Sequence, residues 1–212
     1  GVEPHELEIA VDLKAAREGG VELQNISQAV RDARSGRSLG ALRGQARDAG
    51  VRRLVYAASS SAYGESPELP KVEDMPYDPL SPYAVQKYVG ELYLKVFAKI
   101  YGLSTVGLRY FNVFGPRQDP KSTYAAVIPI FVTKALAGEP PVINGDGSFS
   151  RDFTFVENVV HANLCAMEAS DPGGRTVNVA CGDRFSLNEL YAKIQEYAGT
   201  DVDPIHGPER VG

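Results

Sequence analysis

Tyr83 and Lys87 are the residues of this chain whose types and spacing most directly indicate proton-transfer chemistry. They lie four residues apart in a stretch that reads as a helix over residues 83 to 100, so both side chains share one helix face. A tyrosine phenol is a weak base at neutral pH, but a neighbouring cation favours the phenolate. The pair therefore predicts a general base with an ammonium that tunes it. Surface helices often carry the same spacing, so this interpretation depends on the surrounding sequence.

Three serines precede the pair at the end of a predicted strand. Leu54 to Ala58 is a short apolar run that ends in small residues, which is typical of a buried parallel strand. Ser59, Ser60 and Ser61 follow directly, and ligands in open α/β sheets bind beyond the carboxyl ends of the strands. The alternative is an ordinary polar loop. Because the helix with the pair follows after a proline-rich loop, the serines favour a site at the sheet edge.

Five sequence blocks together resemble the extended short-chain dehydrogenase/reductase family and, within it, the nucleotide-sugar 4-epimerases. In chain order they are Ser59–Gly64, Pro79–Lys87, Gly107–Pro116, Tyr124–Pro129 and Asn144–Phe153. The pattern is most similar to the branch that acts on UDP-N-acetylglucosamine and UDP-glucose. The resemblance covers residues 44 to 212. It implies an α/β fold: a partial Rossmann-like, doubly wound parallel sheet with a small C-terminal substrate-binding α/β domain.

The resemblance also divides the chain. Residues 1–43 are unmatched, residues 44–115 correspond to the remaining half of an NAD-binding Rossmann domain, and residues 116–212 form mainly the nucleotide-sugar domain, interleaved with the first. The first segment allows helices over residues 6–17 and 26–34, but the glycine-rich loop that holds a dinucleotide pyrophosphate is not recognisable there. We therefore expect the 212-residue chain by itself to bind NAD poorly and to be inactive in that form. The sharp border favours a shifted reading frame or an incomplete gene model upstream.

Strands and helices are predicted to alternate after the first strand, as expected for an α/β fold. The predicted elements are a helix over 82–101, a strand over 104–110, a loop over 111–122, a helix over 125–137, strands over 142–143 and 152–155, a helix over 156–170, a strand over 176–180 and a last helix opened by a capping box at 186–189. The first helix carries an apolar stripe of Val89, Leu92, Val96 and Ile100.

The resemblance implies 4-epimerisation of a UDP-hexose by transient oxidation at C4. Tyr83 takes the proton of the sugar 4-hydroxyl while hydride passes to NAD⁺, and the 4-keto sugar is then reduced from its other face. Lys87 tunes Tyr83 and binds the nicotinamide ribose, while Ser59 is the hydroxyl that hydrogen-bonds the 4-oxygen. Tyr83 and Lys87 thus also belong to the cofactor site, with Tyr110 and Phe111 beside the nicotinamide. The alternative for both aromatic residues is packing within a strand.

A larger set of residues is implied to contact the nucleotide sugar. Its members are Ser60, Ser61, Asn112, Gln118, Ala126, Val127, Phe131, Asn144, Arg151 and Arg210. Asn112 places a free amide at a strand end, small and apolar residues suit a flat uracil ring, and the guanidinium of Arg151 matches a diphosphate. The alternatives are helix packing for the apolar residues and an ion pair with Asp152 for Arg151.

Composition limits the other classes of partner. The net charge is −5 with both signs interspersed, so no basic surface predicts nucleic acid. No apolar run approaches the ~20 residues of a membrane span. Cys165, Cys181 and the three histidines lack metal-site spacing, and two cysteines do not make a disulfide framework. We expect a cytoplasmic protein without a metal that, by the resemblance, forms a homodimer through the Tyr83/Lys87 helix and its neighbour.

Three other functions stay open at this stage. A 4,6-dehydratase of the same fold would carry Asp-Glu after the triad hydroxyl, where this chain has Ser60 and Ser61. A UDP-glucuronate epimerase or decarboxylase would need an extra cation near the sugar, which the sequence does not place. A non-catalytic fragment that binds a nucleotide sugar would explain the missing dinucleotide loop. Nor does the sequence choose among N-acetylated, plain and anionic UDP-hexoses.

Overall fold

Strands and helices alternate along the part of the chain that the computed structural model describes, which is residues 9–10, 51–120, 126–170 and 172–209. The elements are β1 (Ile9–Ala10), β2 (Arg53–Ser59), a 3-10 turn (Ser60–Tyr63), α1 (Pro82–Tyr101), β3 (Ser104–Tyr110), β4 (Asn112–Phe114), α2 (Val127–Ala137), β5 (Val142–Asn144), β6 (Ser150–Arg151), β7 (Phe153–Phe155), α3 (Val156–Glu168), β8 (Thr176–Val179), β9 (Phe185–Ser186), α4 (Leu187–Ala198) and β10 (Ile205–Gly207). The predicted α/β class is confirmed.

The largest sheet has the strand order β1-β2-β3-β8. Strand β3 runs parallel to β8, because the Gly107 amide donates to the Arg175 carbonyl at 2.9 Å and, further along both strands, the Phe111 amide donates to the Val179 carbonyl at 3.2 Å. Strand β1 is antiparallel to β2. It replaces part of the helix predicted over residues 6–17, since pairing with β2 satisfies backbone groups that a helix would satisfy internally. The other residues of that range, and the helix predicted over 26–34, lie outside the described residues.

Helix α1 has local start and stop signals, and its predicted bounds are confirmed. The Ser81 hydroxyl accepts a hydrogen bond from the Ala84 amide at 3.1 Å, and Pro82 occupies the first turn. Gly102 ends the helix with φ = 65°. The buried positions are Ala84, Lys87, Glu91 and Leu94, while the apolar stripe of Val89, Leu92, Val96 and Ile100 is exposed. The inward face of this helix therefore carries two charged side chains.

Close packing joins α1 to β2. Gly90 provides the space, since a Cβ there would lie 2.2 Å from Cζ of Tyr56. The Lys87 ammonium donates to the Ala57 carbonyl of β2 at 2.9 Å. Burial, followed by the charges of Glu91 and Tyr83, raises the pKa of Tyr56 to about 12. The Tyr56 ring is thus a neutral spacer between helix and strand at ordinary pH.

The chain forms two compact units, each built from three segments. Unit 1 consists of Gly1–Glu65, Glu73–Arg109 and Asn163–Val177, and unit 2 of Ser66–Val72, Tyr110–Ala162 and Asn178–Gly212. In unit 2, α2 packs on α4 through a core of Phe131, Ala135, Ile143 and Tyr191. The predicted capping box of α4 is confirmed, because Ser186 and Glu189 bond each other's backbone amides.

Several short strands of unit 2 were not predicted. Strand β4 lies in the expected loop and pairs in parallel with β7, with Asn112 opposite Phe153. Strand β10 pairs in parallel with β5, and β6 pairs antiparallel with β9. Strands of two or three residues are too short to show hydrophobic alternation, so their pairing depends on partners distant in the sequence.

Candidate active site

The three serines after β2 have different environments. Ser59 is buried and opens the 3-10 turn, and its Oγ accepts hydrogen bonds from the Ser61 amide at 3.2 Å and the Ser61 hydroxyl at 2.8 Å. A hydroxyl has two lone pairs and one proton, so these bonds use both acceptor positions of Ser59. Its proton is left to donate. Ser59 is therefore suited to hydrogen-bond an oxygen that gains negative charge, while Ser60 and Ser61 are half-buried beside it.

Tyr83 and Lys87 lie on one face of α1, as predicted. The Lys87 Nζ is 5.6 Å from the centroid of the Tyr83 ring and donates to the Ala57 carbonyl at 2.9 Å. Lys87 is 9% exposed and Tyr83 41% exposed. Because α1 packs against β2 and the 3-10 turn, unit 1 brings the predicted ammonium to the strand that ends at Ser59. The phenol stays accessible to a substrate.

Sequence reasoning missed a buried ion pair beside these residues. Arg109 of β3 donates from Nε to Oε1 of Glu91 at 3.0 Å and from Nη2 to Oε2 at 2.8 Å. Arg109 is 1% and Glu91 0% exposed. Burial opposes the charge of Arg109, but hydrogen bonds with Glu91 and Tyr63 outweigh it and raise the pKa of the guanidinium. The sequence held one signal, since Glu91 lies four residues beyond Lys87 on the same helix face.

Asn112 and Arg151, two predicted substrate contacts, come together in unit 2. The Asn112 amide donates from Nδ2 to the Asp152 carbonyl at 2.9 Å, and its Oδ1 accepts from Nη1 of Arg151 at 3.4 Å. The amide is therefore not free, contrary to the expectation from its place at a strand end, because β4 and β7 pair and bring Asp152 beside it. The alternative for Arg151 was an ion pair with Asp152. The Asp152 carboxylate instead accepts hydrogen bonds from the backbone amides of Cys181 at 3.0 Å and Gly182 at 2.7 Å.

Most other predicted contacts also lie in unit 2. Six of these predicted residues are half-buried: Tyr110, Phe111, Gln118, Ala126, Val127 and Asn144. Gln118 donates from Nε2 to the Val113 carbonyl at 3.4 Å, while its buried Oε1 has no partner within the described residues. Phe131 is 1% exposed and packs edge-on against Tyr191. This packing is sufficient to explain Phe131, and its substrate contact stays a prediction.

Some predictions from the sequence are not addressed by the described residues. Arg210 and nearly all of residues 1–43 lie outside them. None of the described helices is long and apolar enough to cross a membrane. The residues that were placed contain no group of three His, Cys, Asp or Glu side chains that could hold a metal ion. Cys165 and Cys181 are both free and exposed thiols. The cytoplasmic location stays a prediction.

Comparison with known proteins settles the family. The model of the NAD dependent epimerase/dehydratase family matches residues 9–180. The chain belongs to this family. The match begins within the segment of residues 1–43 that showed no resemblance by inspection.

Two curated relatives and one solved structure illustrate the similarity. The chain is 42% identical over 163 residues to a putative UDP-glucose 4-epimerase of Methanocaldococcus jannaschii, covering 76% of this chain and 52% of the relative. It is 42% identical over 168 residues to the UDP-glucose 4-epimerase of Mycolicibacterium smegmatis, covering 79% and 53%. The structure of a Methanobrevibacter ruminantium UDP-N-acetylglucosamine 4-epimerase in complex with UDP-N-acetylmuramic acid matches with a TM-score of 0.78 and 38% identity, over 98% of this chain and 64% of that one. The chain thus spans about half the length of the curated relatives it matches.

Proposed function

We propose that this chain is part of a UDP-hexose 4-epimerase that inverts C4 of the sugar by transient oxidation. The observation that carries the proposal is the arrangement in unit 1. A strand-end hydroxyl with both acceptor positions used, Ser59, is followed by a helix whose phenol and ammonium share one face. Membership in a family that includes UDP-glucose 4-epimerases supports the same reaction.

The three side chains have separate roles in this proposal. Tyr83 accepts the proton of the sugar 4-hydroxyl and later returns it to the 4-oxygen of the inverted sugar. Ser59 donates a hydrogen bond to the same oxygen, which stabilises the carbonyl as it forms. Lys87 places its ammonium 5.6 Å from the centroid of the Tyr83 ring. Its burial against Ala57 holds that charge in a fixed position.

The cofactor proposed for this reaction is NAD, which when bound supplies the acceptor for the hydride of C4. The donor set in unit 1 suits its nicotinamide ribose. A lysine ammonium is a donor of hydrogen bonds to hydroxyl oxygens, and the bond to the Ala57 carbonyl fixes its position at the end of β2. The Tyr83 phenol is exposed on the same helix face. Tyr83 and Lys87 would therefore contact the ribose hydroxyls, with Tyr110 and Phe111 proposed near the nicotinamide.

The nucleotide sugar is proposed to contact residues of unit 2. Arg151 is exposed and its guanidinium suits a diphosphate. Its contact with Oδ1 of Asn112 is long, at 3.4 Å, so little free energy is lost if the guanidinium turns to a phosphate. We propose the same ligand for Ser60, Ser61, Gln118, Ala126, Val127, Phe131, Asn144 and Arg210, and we propose a homodimer through the exposed apolar stripe of α1.

The reaction products test the proposal and separate it from its rivals. The full-length protein that contains this chain is incubated with NAD and, in separate reactions, with UDP-glucose, UDP-N-acetylglucosamine and UDP-glucuronate, and products are analysed by NMR and mass spectrometry. We expect gluco/galacto inversion without a change of mass in at least one reaction. Loss of water would indicate a dehydratase, loss of carbon dioxide a decarboxylase, and no conversion together with no NAD binding a non-catalytic fragment. Each of these three results would overturn the proposal.

Tyr83→Phe tests the proposed base directly. Without the phenol, kcat is expected to fall by about 10²–10⁴-fold while KM changes little, because the general base is lost and binding groups remain. Tyr197→Phe is the matched control, since this tyrosine is 90% exposed on α4 and the change removes the same atom. A Tyr83→Phe variant with the kcat of the Tyr197→Phe control would exclude Tyr83 as the base.

A further inference from the structure

Four side chains of unit 1, including Arg109 at the centre, form a polar cluster in which three members are buried and Tyr77 is half-buried. The guanidinium has five N–H donors. Nε and Nη2 bond the two oxygens of Glu91, Nη1 bonds the hydroxyl of Tyr63 at 2.5 Å and the carbonyl of Glu73 at 3.4 Å, and Nη2 also bonds the hydroxyl of Tyr77. Every donor therefore has an acceptor. We call Arg109, Glu91, Tyr63 and Tyr77 the Arg109 cluster.

The Arg109 cluster joins the two elements that carry the catalytic candidates. Glu91 lies one turn beyond Lys87 and two turns beyond Tyr83 on the inward face of α1. Tyr63 ends the 3-10 turn that begins directly after Ser59. A single guanidinium thus bonds the helix of the proposed base and the turn of the proposed hydroxyl.

The remaining members fix the loop that leads into α1. The ring of Tyr77 lies 4.7 Å from the Arg109 guanidinium carbon and stacks on Tyr88 of α1 with centroids 4.1 Å apart. The Tyr63 ring lies 4.8 Å from the same carbon. Both phenols therefore contact Arg109 through their rings as well as their hydroxyls, which limits how each ring can turn.

Stability alone does not require these charges. A buried ion pair is often replaced by apolar residues of similar volume without loss of stability. Apolar residues cannot reproduce the two parallel hydrogen bonds between a guanidinium and a carboxylate. These directional bonds set the distance and angle between the two elements that carry the residues. Arg109 and Glu91 are at most 1% exposed, so they act through other residues and do not touch a ligand.

We propose that Glu91 and Arg109 are positioning residues, which hold the Ser59 turn and the Tyr83/Lys87 face of α1 in the relative placement that epimerisation needs. The inference rests on the proposed function for its catalytic part. Its structural part, that the Arg109 cluster orders the Ser59 turn, can be measured without any activity.

The decisive variant is the double change Glu91→Leu with Arg109→Met. We expect it to fold with nearly the wild-type free energy of unfolding, because no buried charge is left unpaired. We expect kcat to fall by about tenfold or more with KM within about threefold, since misplacement of about 1 Å is enough to slow catalysis strongly. Tyr63→Phe removes only one bond of the cluster and should lower kcat in the same direction. If both variants fold and keep the wild-type kcat, the proposal is wrong.

Hydrogen exchange at the Ser61 amide provides the readout that does not depend on activity. This amide donates to Ser59 Oγ at 3.2 Å. In Tyr63→Phe and in the double variant its exchange should be about fivefold faster, the size expected when one hydrogen bond of the turn weakens. Unchanged exchange in both variants would overturn the proposal even if the wild-type chain shows no epimerase activity.

Two matched controls separate positioning from general loss of stability. Tyr191→Phe removes a buried phenol that donates to the Val202 carbonyl at 3.0 Å in unit 2, and it should leave Ser61 exchange unchanged. Lys134→Ala breaks the exposed ion pair with Glu139, and it should leave kcat unchanged. If the controls reproduce the effects of the double variant, those effects report stability, and the positioning role is excluded. An inactive full-length wild-type protein would overturn the proposed function alone, and the exchange result would still decide the structural part.

Discussion

Each unit of this protein contains a buried carboxylate, and the two are satisfied in different ways. Glu91 of unit 1 is held by a single guanidinium, with oxygen–nitrogen distances of 3.0 and 2.8 Å. Asp152 of unit 2 is held by two backbone amides, those of Cys181 and Gly182, at 3.0 and 2.7 Å. The first arrangement links side chains of two separate elements, whereas the second fixes the course of a loop.

The comparison shows what each arrangement makes the protein sensitive to. A buried ion pair between two side chains is destabilised when either partner is replaced, because the other is left as an unpaired buried charge. A carboxylate on backbone amides keeps these partners under any substitution except proline, which lacks the N–H. The acid itself is therefore the most vulnerable position. In unit 1 both charged side chains of the pair are therefore sensitive positions, whereas in unit 2 the sensitive position is mainly Asp152, with a long contact from the Thr154 hydroxyl at 3.5 Å. The following predictions test this difference.

Arg109→Met alone should produce the largest effect, a loss of about 3–5 kcal/mol in the free energy of unfolding, because Glu91 stays buried without its partner. Urea denaturation measures it. The double variant with Glu91→Leu should recover most of the loss. If the single variant is as stable as the double variant, then Arg109 is not needed to compensate the buried charge of Glu91.

Asp152→Asn should cost less, about 1–3 kcal/mol, because the carboxamide keeps one acceptor while its NH₂ group faces a backbone N–H. The exchange rates of the Cys181 and Gly182 amides should rise together with the loss of stability. Asp183→Asn is the matched control, since Asp183 is exposed on the same loop. Equal effects of the two variants would contradict the role of Asp152 in fixing the loop.

In the capping box of α4, as at Asp152, a carboxylate accepts a hydrogen bond from a backbone amide, but here the carboxylate of Glu189 is exposed. The Ser186 amide and then the Ser186 hydroxyl lower the pKa of Glu189 below its ordinary value. A carboxyl whose pKa is lower when folded stabilises the protein above its unfolded-state pKa, and this contribution is lost as the pH falls through the folded-state value. Glu189→Gln should therefore lower the midpoint of urea unfolding near neutral pH and converge with wild type in acid. A difference that persists at low pH would mean that the charge is not responsible.

Lys134→Ala should have the smallest effect, because the ion pair of Lys134 with Glu139 is exposed and screened by solvent. We expect no measurable change in the unfolding midpoint. Lys134 holds the pKa of Glu139 below its ordinary value through a hydrogen bond and its charge, so an NMR titration of the variant should show that pKa moving up. A large loss of stability in Lys134→Ala would contradict the expectation that an exposed ion pair contributes much less to the free energy of unfolding than a buried one.

Local signals explain which parts of the fold could be predicted. The ends of α1 follow from Ser81, Pro82 and Gly102, all of which act on neighbouring backbone groups. The two- and three-residue strands could not be predicted, because each depends on a partner far away in the sequence. The apolar stripe of α1 was misleading as a guide to burial, since the inward face of this helix carries Lys87 and Glu91.

The candidate site divides in the same way. Helical spacing alone places Tyr83 and Lys87 on one face, and the structure agrees. The family resemblance selects Ser59 among three adjacent serines, and the hydrogen bonds at Ser59 Oγ support that prediction. Arg109 could not be identified, because a lone arginine inside a predicted strand reads as an edge or surface residue until its partners on α1 and the 3-10 turn are known.

The contact between Gly90 and Tyr56 has a consequence for the engineering of this helix. A glycine inside a helix costs about 1 kcal/mol relative to alanine, so optimisation for helix formation alone would replace it. A methyl group at position 90 would collide with the Tyr56 ring, and no single change to a larger residue there is neutral. We therefore expect positions 56 and 90 to be coupled, so that a smaller residue at position 56 makes alanine at position 90 easier to accommodate. Libraries that vary one position at a time will not find that combination.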